Sequence, residues 1–324
     1  MLKMLSIARS YIESHLCWVS SQVLRVVLAI LVLVSCSDGA WPPPVSFEQF
    51  STEYGEWRQD RRNRLVTPPS GPVLWIGLWQ LSQGSTELGS DPGLPIVLPS
   101  GDVPSLAGIL HRSGQDVRLE AAAESGFRFE DGSIVTEPVI LGNDRSENVT
   151  QLSLGTLGMR IHAEPGTDRL WLRVWDEAHP QRETFVLPET FPLNVQWRVP
   201  AYFEPYPEPR VLPVADVTSG SLEYETPGEL VFDIDGEEHR LIAVAGAEST
   251  RYFVMMWDST AISQTYPGGR YMTVPLADAN GRTIIDFNRA YNAPCVFTPH
   301  SVCGLPPLEN YLPLYVTSGE KRPQ

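Results

Sequence analysis

The sequence predicts a mainly β protein: a short N-terminal amphipathic helix followed by two β-sandwich or barrel-like subdomains. Its short apolar runs are separated by 29 prolines and 25 glycines, a spacing typical of many strands joined by turns. Hydrophobic residues make up 42% of the 324 residues, which is enough for one large or two ordinary folded domains. The sequence contains no internal repeat and no long heptad pattern.

The N-terminus has the features of an export signal. A nine-residue apolar run, Val26 to Val34, follows an arginine and is too short to cross a bilayer of about 30 Å as a helix. Residues 33–36, Leu-Val-Ser-Cys, resemble the lipobox of bacterial lipoproteins, which implies cleavage before Cys36 and acylation of that cysteine. We therefore expect a signal peptide over residues 1–35 and a tether over 36–45. An ordinary buried helix, or cleavage elsewhere, is the alternative.

The lipobox resemblance implies an exported protein that is lipid-anchored to the bacterial cell envelope, on the extracytoplasmic side of the outer or cytoplasmic membrane. The formal net charge of the whole chain is −15. Loss of the signal, with three basic residues and one acidic residue, would make it two charges more negative. Such a surface repels nucleic acid and anionic headgroups. We expect no nucleic-acid partner, and membrane contact through the lipid anchor.

A helix is predicted over residues 46–66. Ser46 is a suitable N-cap, apolar and aromatic residues then recur at spacings of three and four, and Pro68 follows the last of them. Two roles are open for the arginines near the C-terminal end: a favourable interaction with the helix dipole, or an anion site. These arginines are Arg58, Arg61, Arg62 and Arg64.

The two β subdomains are predicted over residues 70–165 and 166–324. Turn residues lie between short strand-like runs in both of them. The second subdomain is expected to begin with the alternating run 169–176, and its proline-rich segment 199–214 is expected to be extended chain. The turns are expected at Ser113–Gly114, Asp131–Gly132, Gly155 or Gly158, Asp235–Gly236 and Asn280–Gly281. The last of these turns is expected to close a hairpin between the two runs beside it.

The first β region contains four strand-like segments, which begin at residues 89, 105, 131 and 152. In the order of these segments it weakly resembles a forkhead-associated β-sandwich over roughly 80 residues. The family reads phosphate with an arginine after its first glycine and with a Ser-x-x-His motif. This chain has Ser90 and Ser-Leu-Ala-Gly at those positions, so the resemblance does not extend to phosphopeptide binding.

The C-terminal third contains Gly-Arg-Tyr at 269–271, Asp-Phe-Asn-Arg-Ala-Tyr-Asn at 286–292, cysteines at 295 and 303, and Gly-Glu-Lys at 319–321. In these motifs it resembles a known family, the bacterial and archaeal domain of unknown function family 1684. The family pattern is Gly-Arg-Tyr, then Asp-Phe-Asn-Arg-Ala-Tyr-Asn-Pro-Pro-Cys, a second Cys with Pro-Leu-Pro-Pro, an Asn, and Gly-Glu-Lys. The match covers most of the chain from about Trp57 onward, and its departures are Ala293, His300 and Gly304. The resemblance implies no known activity.

The polar residues of this C-terminal signature are the candidate ligand-binding or catalytic site. Arginine offers a planar fork for a carboxylate or phosphate, and asparagine is both donor and acceptor. The structural alternative is that Asp286 pairs with Arg270 or Arg289 while the asparagines cap loop backbone. The site residues are Arg270, Tyr271, Asp286, Asn288, Arg289, Tyr291, Asn292, Glu309 and Asn310.

The leading hypothesis is an envelope module that binds a small polar or anionic ligand. The competing hypothesis is a hydrolase that uses two of the carboxylates Asp258, Asp286 and Glu309, since glycoside cleavage needs a carboxyl pair. A serine–histidine hydrolase is not favoured, because no Gly-x-Ser-x-Gly elbow is present. The sequence also has no P-loop, no His-Glu-x-x-His and no Gly-x-Gly-x-x-Gly, so we expect no cofactor.

Four cysteines bear on the compartment of the protein. Cys17 would leave with the signal and Cys36 would be lipidated, which leaves Cys295 and Cys303 as a pair in an oxidising compartment. We expect a disulfide between them. Two alternatives recruit His300: a zinc site with both cysteines, or a cysteine nucleophile with the histidine as base. We predict no metal.

Overall fold

The computed structural model describes residues 41–99 and 101–323. The signal peptide and Cys36 therefore lie outside the described residues. The chain divides into two units, Met1–Val45 and Ser46–Gln324, and the described helices and strands lie in the second unit. No helix of the described residues is both long enough and apolar enough to cross a membrane.

The predicted N-terminal helix is confirmed as α1, Phe47–Val66. The Ser46 hydroxyl caps it by accepting a hydrogen bond from the backbone N–H of Gln49 at 3.1 Å. Phe50 and Leu65 are buried, and the C-terminal turn of α1 packs on a small apolar cluster with Trp75. Burial of these side chains against the β structure holds the helix in place.

The first half of the compact unit is two five-stranded sheets packed face to face. The strands are β1 (Trp75–Gln80), β2 (Gly84–Gly89), β3 (Ile96–Val97), β4 (Gly108–Ser113), β5 (Asp116–Ala121), β6 (Arg128–Phe129), β7 (Val139–Ile140), β8 (Gln151–Leu154), β9 (Leu157–Ala163) and β10 (Leu170–Asp176). One sheet has the order β1-β10-β9-β8-β6 and the other β3-β2-β4-β5-β7. Apolar residues of both sheets form a single buried cluster between them, as in a β-sandwich.

The position of β10 corrects the predicted subdomain boundary. The sequence prediction places this run at the start of the second subdomain, yet β10 pairs with β9 on one side and with β1 on the other. Leu170, Leu172 and Val174 enter the core of the first half. The side chains on the opposite face of β10 are also largely buried. The residues along β10 therefore do not alternate between a buried and an exposed face.

The second half is built from two four-stranded sheets around another apolar cluster. A short helix, α2 (Gln181–Thr184), precedes them. The strands are β11 (Arg198–Ala215), β12 (Ser221–Ile234), β13 (Glu237–Ala243), β14 (Arg251–Asp258), β15 (Arg270–Pro275), β16 (Arg282–Asp286), β17 (Tyr291–Asn292) and β18 (Tyr311–Leu312). The two sheets have the orders β13-β12-β11-β16 and β17-β15-β14-β18.

The proline-rich segment is extended, as predicted, and it forms the long strand β11, which pairs with β12 and β16. One local prediction in this half is wrong. The Asn280–Gly281 turn does not close a hairpin, because β15 pairs with β14 while β16 crosses to β11. The predicted turn at Asp235–Gly236 is confirmed: both residues have positive φ, 56° and 86°, and they join β12 to β13.

Candidate functional site

Arg270, the first residue of the predicted polar site, is buried and structural. Its side chain is 1% exposed, and its Nη2 donates to Asp258 Oδ1 at 2.8 Å. The guanidinium also donates to the backbone carbonyls of Val316, at 3.1 Å, and Ser318. Burial lowers the pKa of Arg270, and the Asp258 carboxylate opposes that shift. The pair therefore ties β14 and β15 to the C-terminal segment and does not face a ligand.

The three asparagines of the signature also bind backbone. Asn288 donates to the carbonyl of Asn194 at 2.9 Å and accepts from its N–H at 3.0 Å. Asn310 does the same with Ile242, at 3.1 and 2.7 Å. Asn292 is fully buried and donates to a backbone carbonyl at 2.9 Å. These contacts agree with the structural alternative, in which the asparagines satisfy loop backbone.

The Gly-Glu-Lys segment anchors α1 to the β structure. Glu320 is 0% exposed and accepts from Arg61 Nε at 3.1 Å and from the Asn292 N–H at 2.8 Å. Gly319 has φ of 80°, and a Cβ on it would lie 2.6 Å from the Ala290 carbonyl oxygen. Glycine is therefore required there both for its backbone conformation and for the close approach.

Asp286 and Arg289 form the remaining ion pair of the signature. Arg289 Nε lies 3.1 Å from Asp286 Oδ2, and its Nη2 lies 4.0 Å from the Glu53 carboxylate on α1. Burial raises the pKa of Asp286, while hydrogen bonds from Asn288 and the charge of Arg289 act against this shift. This is one of the two pairings that the structural alternative named.

Cys295 and Cys303 are adjacent free thiols in this structure, so the predicted disulfide is not formed in it. The Cys295 N–H donates to Cys303 Sγ at 3.1 Å, and the Ser301 hydroxyl lies 3.4 Å from the same sulfur. Hydrogen bonding from the Cys295 thiol lowers the pKa of Cys303 to about 7, against the effect of burial. Over residues 41–99 and 101–323, no three His, Cys, Asp or Glu side chains gather as metal ligands.

A cleft of about 940 Å³ lies between α1 and the sheet that contains β14 and β15; we call it the α1 cleft. Its floor is one face of that sheet. Phe253 of β14 is directly opposite Thr273 of β15, and Tyr271 of β15 is opposite Tyr291 of β17. The rings of Tyr271 and Tyr291 meet edge to face at 6.2 Å. The floor is therefore largely aromatic.

The wall of the α1 cleft is one face of the helix. Glu53, Trp57, Arg61 and Arg64 recur at spacings of four and three, so they lie along the same side of α1. The Arg61 guanidinium stacks on the Tyr291 ring at 4.4 Å, in addition to its pairing with the buried glutamate. Arg61 is thus a neutralised structural cation within the cleft.

The charges of the α1 cleft that remain unpaired are of both signs. Arg64 and Arg251 are exposed, and neither has an acidic partner within 4 Å among the described residues. Glu56 and Asp60 of α1 are likewise exposed and unpaired among those residues. The arrangement can hold a ligand that places a negative group against the arginines and its body against the aromatic floor.

Three of the nine predicted site residues line the α1 cleft: Tyr271, Arg289 and Tyr291. Arg270 and the asparagines are buried elsewhere in loop contacts, and Glu309 is exposed on the turn Leu308–Asn310. None of the three carboxylates considered for hydrolysis lines the cleft. Arg251 was not predicted, because no sequence pattern marks it as a site residue. For Arg64 the sequence left two roles open, an interaction with the helix dipole or an anion site.

The fold and site define a class: a β protein of two packed halves in which a C-terminal signature holds one helix over an aromatic cleft. The chain belongs to the family described as "Protein of unknown function (DUF1684)", whose sequence model matches residues 183–321. No protein with curated annotation matches the chain.

The solved structures that resemble the chain include the following two. One is the uncharacterised protein of gene locus rrnAC0354 from Haloarcula marismortui, 32% identical, covering 44% of this chain and 80% of that one, with a TM-score of 0.37. The other is EmbR of Mycobacterium tuberculosis in complex with a low-affinity phosphopeptide, 10% identical, covering 41% of this chain and 33% of that one, with a TM-score of 0.21.

Proposed function

We propose that the α1 cleft binds a small anionic ligand with a ring-shaped or otherwise apolar body. The observation that supports this most is the pair of exposed, unpaired arginines, Arg64 and Arg251, above an aromatic floor. An arginine without a carboxylate partner offers its full donor fork to a phosphate or carboxylate. The buried ion pairs of the signature hold the helix wall in position beside that floor.

The size and lining of the cleft support a small molecule. A volume of about 940 Å³ lies within the range of roughly 300–1,000 Å³ of small-ligand sites. Trp57, Phe253, Tyr271 and Tyr291 supply ring faces and edges for an apolar body. The cleft therefore resembles sites that bind by apolar contact and orient the ligand with a few polar groups.

Glu56 and Asp60 narrow the ligand class. Their unpaired carboxylates line the same cleft as the arginines and repel a polyanion. One compact negative group can reach the arginines without approaching both acids. We therefore propose a ligand with a single phosphate or carboxylate, and no nucleic acid, in agreement with the net charge of −15.

The proposed setting is the bacterial cell envelope, with the protein exported by its signal peptide and anchored through lipidated Cys36. The apolar run before Cys36 and the lipobox-like tetrapeptide that ends at Cys36 support this location. In an oxidising compartment we propose that Cys295 and Cys303 form a disulfide, since the two thiols are already adjacent. Their loop would then be fixed beside Asn292, whose backbone bonds to Arg61 of α1.

Hydrolysis by a carboxylate pair stays the alternative prediction. The carboxylates that line the cleft are Glu53, Glu56 and Asp60 rather than the three that the sequence suggested. Residues three and four apart on a helix have their Cβ atoms about 5–6 Å apart, so two of these carboxylates can face one bound molecule. Release of nitrophenol from nitrophenyl glycosides, lost in a Glu56→Gln variant, would favour this alternative over simple binding.

A thermal-shift screen of the full-length chain in mild detergent tests the binding proposal. The probes are phenyl phosphate, inorganic phosphate and phenyl β-glucoside. At 100 times its Kd a ligand stabilises by about 2.7 kcal/mol, which corresponds to roughly 5–11 °C in Tm. We expect phenyl phosphate to give the largest shift, and we expect the Arg64→Gln/Arg251→Gln variant to lose it.

The matched control is Arg210→Gln, because Arg210 is an exposed arginine that stacks on Tyr206 outside the α1 cleft. This variant should keep the shift of the wild type. Equal shifts in the double variant and the wild type, or a shift with the glucoside alone, would contradict an anion site at the arginines.

A further inference from the structure

The outer face of the first half carries a hydrogen-bonded chain of serine, histidine and glutamate. Ser85 Oγ lies 2.9 Å from His111 Nδ1, and His111 Nε2 lies 3.1 Å from Glu120 Oε2. The ring is therefore held at both nitrogens, with a hydroxyl on one side and a carboxylate on the other. Nucleophilic catalysis uses this arrangement: the nucleophile is hydrogen-bonded to a base, and a third group orients the base.

Strand register, rather than a flexible loop, sets this arrangement. Ser85 of β2 is directly opposite His111 of β4, and His111 is directly opposite Arg118 of β5. Directly opposite residues point to the same face of the sheet, and Glu120 lies two residues along β5 on that face. The neighbouring positions Leu110 and Leu119 point into the core, which fixes the outward direction of the three polar side chains.

The bonding pattern selects one neutral tautomer of the histidine. A carboxylate is an acceptor only, so the neutral form of His111 carries its proton on Nε2 and donates it to Glu120. Nδ1 then has a free lone pair, which accepts the Ser85 hydroxyl proton. This is the protonation state that a general base requires, and the carboxylate stabilises the imidazolium that forms when the base takes up a proton.

A cavity of about 320 Å³ opens directly on the pair, with Ser85, His111 and Arg118 in its lining. The exposed side chain of Ile140 gives it an apolar side. Arg118 is exposed and has no acidic partner within 4 Å among the described residues, so its guanidinium is available to a developing oxyanion or to a substrate carboxylate. The cavity is within the size range of small-ligand sites.

We propose that Ser85, His111 and Glu120 form a second site that hydrolyses small esters. Ser85 Oγ attacks the ester carbonyl carbon as its proton passes to His111 Nδ1, and Arg118 faces the resulting oxyanion. When the intermediate collapses, the carbon–oxygen bond to the alcohol breaks and His111 returns the proton to the leaving oxygen. Water then attacks the acyl carbon as His111 Nδ1 takes its proton. The bond between the acyl carbon and Ser85 Oγ breaks, His111 returns the proton to Oγ, and the acid is released.

The test uses the full-length chain in mild detergent with p-nitrophenyl acetate as substrate and a fluorophosphonate as covalent probe. We expect turnover above the uncatalysed rate, and we expect mass spectrometry of the peptides to find the fluorophosphonate on Ser85. Ser85→Ala and His111→Gln should each lower kcat by at least 100-fold, the scale of general base catalysis. Glu120→Gln should lower kcat by a smaller factor, because it removes only the negative charge beside the His111 ring.

The matched control is Ser221→Ala, because Ser221 is, like Ser85, an exposed serine on a β-strand, and it lies outside this cavity. This variant should keep the wild-type rate and the fluorophosphonate adduct. Equal rates in the wild type and Ser85→Ala, or an adduct absent from Ser85, would overturn the proposal. Because this site lies in the first half, either result leaves the binding proposal for the α1 cleft unchanged.

Discussion

Replacement of Arg270 by alanine separates a structural role from a ligand-binding role for the C-terminal signature. The change removes the 2.8 Å pair with Asp258 and the hydrogen bonds to two backbone carbonyls. It leaves a buried carboxylate, 2% exposed, without its cation. Breaking a buried ion pair in this way costs about 3–5 kcal/mol.

That loss corresponds to a fall in Tm of roughly 6–20 °C, at about 2–4 °C per kcal/mol for a large domain. Circular dichroism of the full-length chain in mild detergent measures it. The control is Arg240→Ala, because Arg240 makes its ion pairs with Glu204 and Glu238 at the exposed surface. We expect a much smaller fall for that variant.

The opposite pattern would refute this account of the signature. If Arg270→Ala melted within error of Arg240→Ala and yet lost the thermal shift with phenyl phosphate, Arg270 would be a ligand contact. The family pattern around it would then describe a binding site and not a set of internal ties.

Three further predictions concern other buried groups. Glu320→Gln should lower the free energy of unfolding by about 3–5 kcal/mol, measured by thermal melts, because it leaves Arg61 buried without a counter-charge. Burial lowers the pKa of His162 below 6.5, so its contribution to stability is present above pH 6.5 and is lost as the pH falls through the folded-state pKa. The drop in Tm between pH 8 and pH 5 should therefore be smaller in His162→Gln than in the wild type. An equal drop in both proteins would contradict this role of His162. Closing the loop between Cys295 and Cys303 should add about 2–3 kcal/mol; thiol titration of unfolded envelope-derived protein should find the pair oxidised, and two free thiols would exclude the disulfide.

The β class, α1 and several turns could be predicted because their signals are local. The helix cap, the apolar spacing and the glycines of tight turns are read within a few residues. The correction at Asn280–Gly281 shows the limit of this reading. A turn between two strands does not say whether those strands pair with each other, and here β15 and β16 take partners in different sheets.

The candidate site could be predicted only in part, for a physical reason. Arginine and asparagine are suitable both for binding ligands and for satisfying buried backbone, and burial decides between the two roles. Arg270 and Asn292 are buried, so they serve the fold, whereas Arg289 stays partly exposed and lines the α1 cleft. Arg251 joins the cleft through the pairing of β14 with β15, which no local pattern reveals.

The most direct test of the central proposal is a calorimetric titration of the full-length chain with phenyl phosphate. We predict saturable binding to the wild type and to Arg210→Gln. We predict affinity at least tenfold weaker for Arg64→Gln/Arg251→Gln, since hydrogen bonds to a charged group contribute about 1.5–3 kcal/mol. Undiminished affinity in that double variant would contradict ligand binding at the arginines of the α1 cleft.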